Sequence, residues 1–288
     1  MSRIHPTLTR VFPLFFVLLW STGFIGARLG LPHAPPLTFL LIRYLLVIGL
    51  MAVIAVLTRA PWPQRRSEWL HIGISGLLLH AAYLGGVFIA ISKGLPAGVT
   101  SLVVGLQPLL TAVGAGWLLN EAVLRRKWLG LLLGLVGVSL VVAGKVGPGF
   151  GLDALLPAVA ALLAITAGTL YQKRFCPRFD WRTGSVVQFV PTALLTLAVA
   201  ACTETMQVQW TGDFVFALGW LVLVLSLGAV SLLNWLIRNS NAVNMASLFY
   251  LVPPCTAVFA WLLFGETFSH IAVLGMGLTI GGVYLARK

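Results

Sequence analysis

Polar and aromatic side chains lie in the middle of long apolar runs of this 288-residue sequence, where a uniform lipid-facing helix would carry none. His80 and Tyr83 are three residues apart, which places them on one face of a helix. Gln107 is followed directly by Pro108, a residue that removes one backbone hydrogen bond and bends a helix. Because an amide or imidazole within hydrocarbon must find a partner inside the protein, these side chains predict a cavity that binds a small solute.

Other candidate lining residues are also found within apolar runs, and they are Trp20, Asn234, Ser247 and Tyr250, with Pro253 as a second helix-bending proline. Trp20 lies too deep for the aromatic belt at a membrane surface. Simpler roles stay open, since Trp20 could pack in the core, Gln107 could join helices by hydrogen bonds and His80 could be structural. Arg43 lies near the start of its run, and we expect its side chain to reach the interface.

Catalytic and metal-binding chemistry has no support in the sequence. All seven carboxylates fall in linkers or at the ends of apolar runs, and they are Glu68, Glu121, Asp153, Asp180, Glu204, Asp213 and Glu266. The chain has no HExxH motif, no phosphate-binding glycine loop and no pair of carboxylates within a run. Its three scattered cysteines, Cys176, Cys202 and Cys255, form no metal or disulfide pattern. We therefore predict no enzyme activity, no catalytic residue, no metal and no cofactor.

The elements that position these side chains are transmembrane helices. The chain is 59% hydrophobic and only 9% charged, with a mean hydropathy of +0.98, whereas a soluble domain carries roughly 25% charged residues. Apolar runs of about 18 or more residues recur, each long enough to cross a bilayer as a helix. The sequence predicts an all-α membrane protein with ten spans, at about 11–29, 37–57, 69–91, 96–119, 127–145, 152–173, 184–203, 214–237, 242–264 and 269–287.

The net charge of +12 is distributed as membrane topology requires. Fifteen lysines and arginines fall on the side of the ten spans that holds the termini, and three, Arg28, Lys93 and Lys145, fall on the other side. This is the positive-inside pattern, so we expect both termini to be cytoplasmic. The same distribution excludes a nucleic-acid partner and makes the lipid bilayer the environment of the chain.

The two halves of the chain repeat each other at an offset of 145 residues. GLQPLLTAVGAGWLLNE (105–121) matches YLVPPCTAVFAWLLFGE (250–266), with Pro108 on Pro253 and Glu121 on Glu266. The same offset places Arg43 on Gln188. Five spans per half make the repeats opposite in orientation, an arrangement typical of secondary transporters with a site between the halves. We predict an inverted pair, 1–146 and 147–288, around a central cavity lined by spans 1, 3, 4, 6, 8 and 9.

These features resemble a known family. Ten spans in two halves, the stretch WSTGF (20–24) and the "apolar…Pro…Thr-Ala…Glu" segments of spans 4 and 9 look like the EamA family of the drug/metabolite transporter superfamily, and are most similar to its aromatic amino acid exporter branch. The resemblance implies a small-metabolite carrier of the bacterial inner membrane, often an exporter. Its motifs specify architecture better than cargo.

We expect the chain to move small organic solutes outward, most of all amino acids with aromatic or apolar side chains. The alternatives are export of drugs or another metabolite class by the same fold, and an intramembrane enzyme or a non-transporting scaffold. His80 is the titratable group at mid-depth with a reference pKa near neutrality, and no carboxylate lies near it in sequence. We therefore predict alternating access without proton coupling.

Overall fold

A computed structural model describes residues 6–95, 97–143, 151–176, 178–264 and 269–288. These residues form helices and contain no β-strand, because in hydrocarbon a helix satisfies its own backbone groups. Nine of the described helices are long and apolar enough to cross a membrane. Arg125–Ala143, which begins with three basic residues and is otherwise apolar, is the tenth.

The predicted fold class is confirmed: ten transmembrane helices in two inverted repeats of five. Numbered in chain order, the helices are α1 Pro6–Gly30, α2 Pro36–Leu57, α3 Arg66–Ser92, α4 Ala97–Val104 and Gln107–Leu118, α5 Arg125–Ala143, α6 Leu152–Phe175, α7 Trp181–Thr203, α8 Gly212–Asn239, α9 Ala242–Ala246 and Val252–Phe264, and α10 His270–Arg287. Lys145, Glu266 and the predicted boundary at 146/147 lie outside the described residues.

Helix pairs across the repeat follow a pseudo-twofold arrangement. α5 packs along α10 and α2 along α7, while α1 contacts α8 and α9 as its equivalent α6 contacts α3 and α4. Tyr44 of α2 and Phe189 of α7 are equivalent at the 145-residue offset, and their ring centroids are 5.4 Å apart. The pseudo-twofold axis therefore passes close to these two rings.

Four helices contain irregular segments near mid-membrane, at equivalent places in the two repeats. α3 has a π-helical segment at Leu77–Ala82, and α8 has one at Leu221–Ala229. α4 is interrupted between Val104 and Gln107, and α9 contains a 3-10 segment at Ser247–Leu251. Pro108 and Pro253 each lie in the first turn of the α-helical segment that follows the irregular part of α4 or α9. A backbone N–H in a first turn has no hydrogen-bond partner within the helix, so a proline there removes no helical hydrogen bond. Single π turns and mid-helix 3-10 segments frequently mark functional positions.

The crossing of α5 and α10 is made of glycines. Gly130 lies against Gly282, and Gly137 lies against Gly275. At the 145-residue offset, Gly130 is equivalent to Gly275 and Gly137 to Gly282, so the two contacts are equivalent to each other. Small residues let helix backbones approach closely inside a membrane, where apolar area alone gives no preference for protein over lipid. This crossing fixes the two halves to each other at one edge of the bundle.

Replacing Gly282 with alanine should destabilise the protein, because its Cβ would lie 2.7 Å from the carbonyl oxygen of Gly130 and closer still to the backbone nitrogen of Gly134. We expect a loss of about 1–3 kcal/mol, seen as a lower melting temperature of the purified protein in detergent. The adjacent Gly281→Ala is the matched control, since nothing lies within 4 Å of its added Cβ. Equal melting temperatures for the two variants would contradict the close crossing.

Candidate functional site

Two predicted lining residues meet at a small cavity near the centre of the bundle. Trp20 of α1 and Tyr83 of α3 have ring planes within 9° of parallel, with centroids 6.4 Å apart. They border a cavity of about 30 Å³ whose wall also includes Phe24, Arg43 and Phe88. That volume holds a water molecule or two rather than an organic solute, for which sites of roughly 300–1,000 Å³ are usual. The bundle is therefore closed around this site.

The same aromatic pair borders a second opening of about 10 Å³ that reaches the irregular parts of α4 and α9. Its wall includes Gly105, at the interruption of α4, and Pro253 of α9. The rings of Trp20 and Tyr83 thus separate two small spaces, one toward α2 and α8 and one toward α4 and α9. Movement of these rings would join the two.

Arg43 lies in the cavity wall, although the sequence suggested that its side chain reaches the interface. That expectation is wrong, because Arg43 is only 1% exposed and its Nε donates to Ser226 Oγ of α8 at 3.1 Å. Ser226 in turn donates to the carbonyl oxygen of Leu221 at 3.0 Å, within the π-helical segment. The sequence did contain a sign that Arg43 is buried. At the 145-residue offset it is equivalent to Gln188, so both repeats carry a polar residue at this position.

A chain of hydrogen-bonded side chains crosses four helices between the centre and the face that bears the termini, here called the terminal face. Gln188 Nε2 of α7 lies 3.0 Å from both Ser75 Oγ of α3 and Gln172 Oε1 of α6. Gln172 Nε2 then donates to Asn234 Oδ1 of α8 at 2.9 Å. Asn234 was predicted as a lining residue, whereas Ser75 and Gln172 were not recognised in the sequence. This polar chain is buried throughout.

His80 lies beside this polar chain, inside the π-helical segment of α3. Its imidazole stacks on Phe189 with a centroid distance of 4.2 Å, and its backbone carbonyl accepts from Tyr44 OH at 2.8 Å. His80 is 2% exposed, and its Nε2 has no hydrogen-bond partner among the described residues. The imidazole thus packs on an aromatic ring, and His80 is not among the residues that line the cavity shared by Trp20 and Tyr83.

The structure places the other candidates apart from the aromatic cavity. Gln107 Nε2 lies 3.5 Å from Thr169 Oγ1 of α6, a long contact, and its Oε1 has no partner in the described part of the chain. Ser247 donates to the carbonyl of Asn244 within its own turn. Tyr250 packs on α5, so closely that a Cβ at Gly134 would be 2.7 Å from its ring. Only Trp20 and Tyr83, of the seven candidates, meet at the cavity.

An ionic cluster closes the terminal face. Glu121, after α4, lies 3.5 Å from Lys173 of α6, and it accepts from the backbone nitrogen of Ala242 at 2.8 Å, at the start of α9. Lys173 also donates to the carbonyl oxygens of Ile237 and Ser240 at the end of α8. Four helices therefore converge on one ion pair, whose side chains are 19% and 24% exposed. A carboxylate at a helix N-terminus is favoured by the helix dipole.

The loop between α6 and α7 is fixed at the same face. Asp180 accepts from the backbone nitrogen of Arg182 at 2.9 Å, and both side-chain oxygens of Asp180 accept from its guanidinium. These hydrogen bonds lower the pKa of the Asp180 carboxyl. Arg238 of α8 donates to the carbonyl oxygen of Phe179 at 2.6 Å, which ties this loop to α8.

At the opposite face, Glu204 joins the two repeats. It follows α7 and accepts from the backbone nitrogens of Leu37 and Thr38, at 2.8 and 2.7 Å, at the start of α2. The residue equivalent to Thr38 is Thr183, which donates to the carbonyl oxygen of Pro61 on the terminal face at 2.7 Å. Each end of the α2–α7 pair is thus tied by a threonine at the same place in its repeat.

Comparison with known proteins gives one consistent result. The profile described as the EamA-like transporter family matches residues 11–143 and, again, residues 153–287. The chain is similar to the Bacillus subtilis "Uncharacterized transporter YvbV", with 28% identity over all of this chain and 94% of that one. It is 25% identical to the Escherichia coli "Uncharacterized inner membrane transporter YedA" over 98% of this chain and 91% of that one.

Two further comparisons bear on function and on fold. A Salmonella typhimurium protein named "Probable amino-acid metabolite efflux pump" is 25% identical over 94% of this chain and 92% of that one. A solved structure, described as "Crystal structure of protein", superposes with a TM-score of 0.80 over 96% of this chain and 95% of that one, at 22% identity. At that identity the superposition supports the fold alone.

Replacing Glu121 with glutamine should loosen the terminal face, because it removes the charge that pairs with Lys173 and caps α9. The reporter is Ser231→Cys, three residues before Asn234 on α8, in a background whose three native cysteines are replaced. We expect thiol labelling to become about two- to fivefold faster, as the loss of a partly buried ion pair predicts. Asp153→Asn is the control, since it breaks the exposed pair with Lys93 at the opposite face. Unchanged labelling in Glu121→Gln would contradict a closing role.

Proposed function

Because the chain belongs to the EamA-like transporter family, we propose that this transporter exports amino acids with aromatic or apolar side chains across the bacterial inner membrane by alternating access. The observation that carries the proposal is the cavity between α1, α2, α3 and α8, whose wall combines four aromatic rings with aliphatic side chains and has few polar groups. Trp20, Phe24, Tyr83 and Phe88 offer faces for stacking with an aromatic or apolar side chain. Sites for small organic molecules have this composition.

The inverted repeat supports alternating access. In this mechanism two equivalent half-structures exchange conformations, so that one central site faces each side of the membrane in turn. The terminal-face cluster around Glu121 and the bonds of Glu204 at the opposite face are contacts that would open alternately. The irregular segments of α3, α4, α8 and α9 supply places where these helices can bend.

The charge distribution and the names of relatives support the direction and the location of transport. The excess of lysine and arginine on the terminal face favours a cytoplasmic position for both termini. The names of two relatives, an inner membrane transporter and an amino-acid metabolite efflux pump, are consistent with outward transport from the cytoplasm. The apolar cavity wall also suits a drug or another metabolite, and this is the second candidate cargo.

Uptake of labelled solutes into proteoliposomes tests the cargo. We expect tryptophan and phenylalanine to be transported, and a lipophilic drug cation to be excluded. Trp20→Ala should raise the KM for tryptophan roughly tenfold through the loss of stacking area. The KM of Trp20→Phe should lie between those of the wild type and Trp20→Ala. Trp117→Ala is the matched control, because Trp117 is 87% exposed on the outer surface of α4. Transport of the drug without the amino acids would favour the second candidate.

Energy coupling can be tested at His80. The carboxylates of the sequence lie outside the centre of the spans, and His80 stacks on Phe189 and does not line the cavity. We expect tryptophan to equilibrate at the same rate with and without an imposed pH gradient, and His80→Gln to behave likewise. Accumulation against the tryptophan gradient that needs the pH gradient and disappears in His80→Gln would establish proton exchange instead.

A further inference from the structure

Arg43 is a buried cation in the cavity wall, and no counter-ion for it lies among the described residues. Its side chain is 1% exposed, and its one hydrogen bond in the described part of the chain joins Nε to Ser226 Oγ at 3.1 Å. A guanidinium has five N–H donors and stays protonated in proteins. The four donors on the two Nη atoms of Arg43 make no hydrogen bond to a described residue. The ion pairs within the described residues do not include Arg43.

Other basic groups at partly buried positions in the bundle are compensated. Lys173 pairs with Glu121 and donates to two carbonyl oxygens, and Arg238 donates to the carbonyl oxygens of Asn234 and Phe179. Lys127 donates to Asn244 Oδ1 at 2.8 Å. These three groups are near the terminal face, whereas Arg43 lies seven residues into α2 from the opposite face, about 10 Å along the helix.

A buried charge with unused donors costs several kcal/mol, and intramembrane charges usually mark substrate or ion pathways. The hydrogen bond from Nε to Ser226 holds the guanidinium at one edge, and the residue borders the same cavity as Trp20 and Tyr83. The fork of Nη donors matches the two oxygens of a carboxylate. A ligand with a carboxylate and an aromatic group could bind the guanidinium of Arg43 and stack on the rings of Trp20 and Tyr83 at the same time.

We propose that Arg43 binds the carboxylate of the transported solute, so that the transporter selects carboxylates over amines of the same shape. The inference rests on the proposed export of amino acids and narrows it. Trp20 and Tyr83 contact the solute's side chain, and Ser226 is a positioning residue that orients the guanidinium. The amino group is not required by this site, so an aromatic carboxylic acid without an amine should also bind.

Three indole ligands test the proposal on the wild-type protein. Tryptophan has both charged groups, indole-3-propionate lacks the amine and tryptamine lacks the carboxylate. In proteoliposomes, we expect unlabelled tryptophan and indole-3-propionate to compete with labelled tryptophan, and tryptamine to compete about 10- to 100-fold more weakly, as a charge-assisted hydrogen-bonded pair predicts. Competition by tryptamine equal to that of indole-3-propionate would overturn the role of Arg43.

Variants locate this selectivity at Arg43. In Arg43→Gln we expect the affinity for tryptophan and indole-3-propionate to fall about 10- to 100-fold while that for tryptamine is unchanged, and in Arg43→Lys we expect partial recovery because the charge is kept without the fork. Trp20→Phe is the contrast, since it should weaken all three ligands alike. Unaltered tryptophan affinity in folded Arg43→Gln would overturn the proposal. If that variant does not fold, the competition of the three indole ligands in the wild-type protein decides the question.

Failure of the inference and failure of the proposed function give different results. If labelled tryptophan is transported and tryptamine competes equally well, the cargo assignment stands and the carboxylate site is wrong. If neither tryptophan nor any indole ligand is bound or transported, the proposed function is wrong, and the role of Arg43 fails with it.

Discussion

The absence of water inside the membrane is the constraint on which this structure depends. Every backbone carbonyl that leaves regular helical bonding there must be hydrogen-bonded by the protein. Tyr44 OH donates to the carbonyl of His80 in the π-helical segment of α3. Ser21 Oγ of α1 donates to Val17 O of its own helix at 2.7 Å and also lies 3.3 Å from the carbonyl oxygen of Val252, where α9 returns to α-helix. Irregular backbone is consequently found at the centre of the bundle, where hydroxyls of neighbouring helices can reach it.

The same hydroxyl groups connect the irregular segments to the site. Ser226 donates to the carbonyl of Leu221 in α8 and accepts from Arg43, so one side chain supports both the π-helical segment and the guanidinium. By contrast, glycines form the α5–α10 crossing, and the hydroxyl of Thr279 beside them bonds the carbonyl of Gly275 in its own helix. The bundle thus has a closely packed edge and a hydrogen-bonded, irregular centre. Rearrangement of the centre changes the cavity while the edge can keep the repeats together.

The number of helices, the two repeats and the class of protein could be predicted from the sequence. Length, hydropathy and a constant repeat offset can be recognised without knowing how each helix is rotated about its axis or which helices it packs against. It could not specify which polar side chains meet. Tyr250 and Trp20 both lie near mid-depth, yet Tyr250 faces Gly134 of α5 while Trp20 faces Tyr83. Arg43 was assigned to the interface because it lies near the start of its apolar run, and only the packing of α2 against α8 reveals Ser226 beside it. Rotation about a helix axis is set by partners that are distant in sequence.

The proposed role of Arg43 would link substrate recognition to closure of the bundle. In the closed arrangement the cavity of about 30 Å³ leaves little room for water around Arg43. Electrostatic attraction between a guanidinium and a carboxylate strengthens as water is excluded. A ligand shifts a conformational equilibrium only by its different affinities for the two states. Under the proposed role of Arg43, a carboxylate therefore favours closure more than a neutral solute of equal size does, and selection takes place as the helices close rather than at first contact.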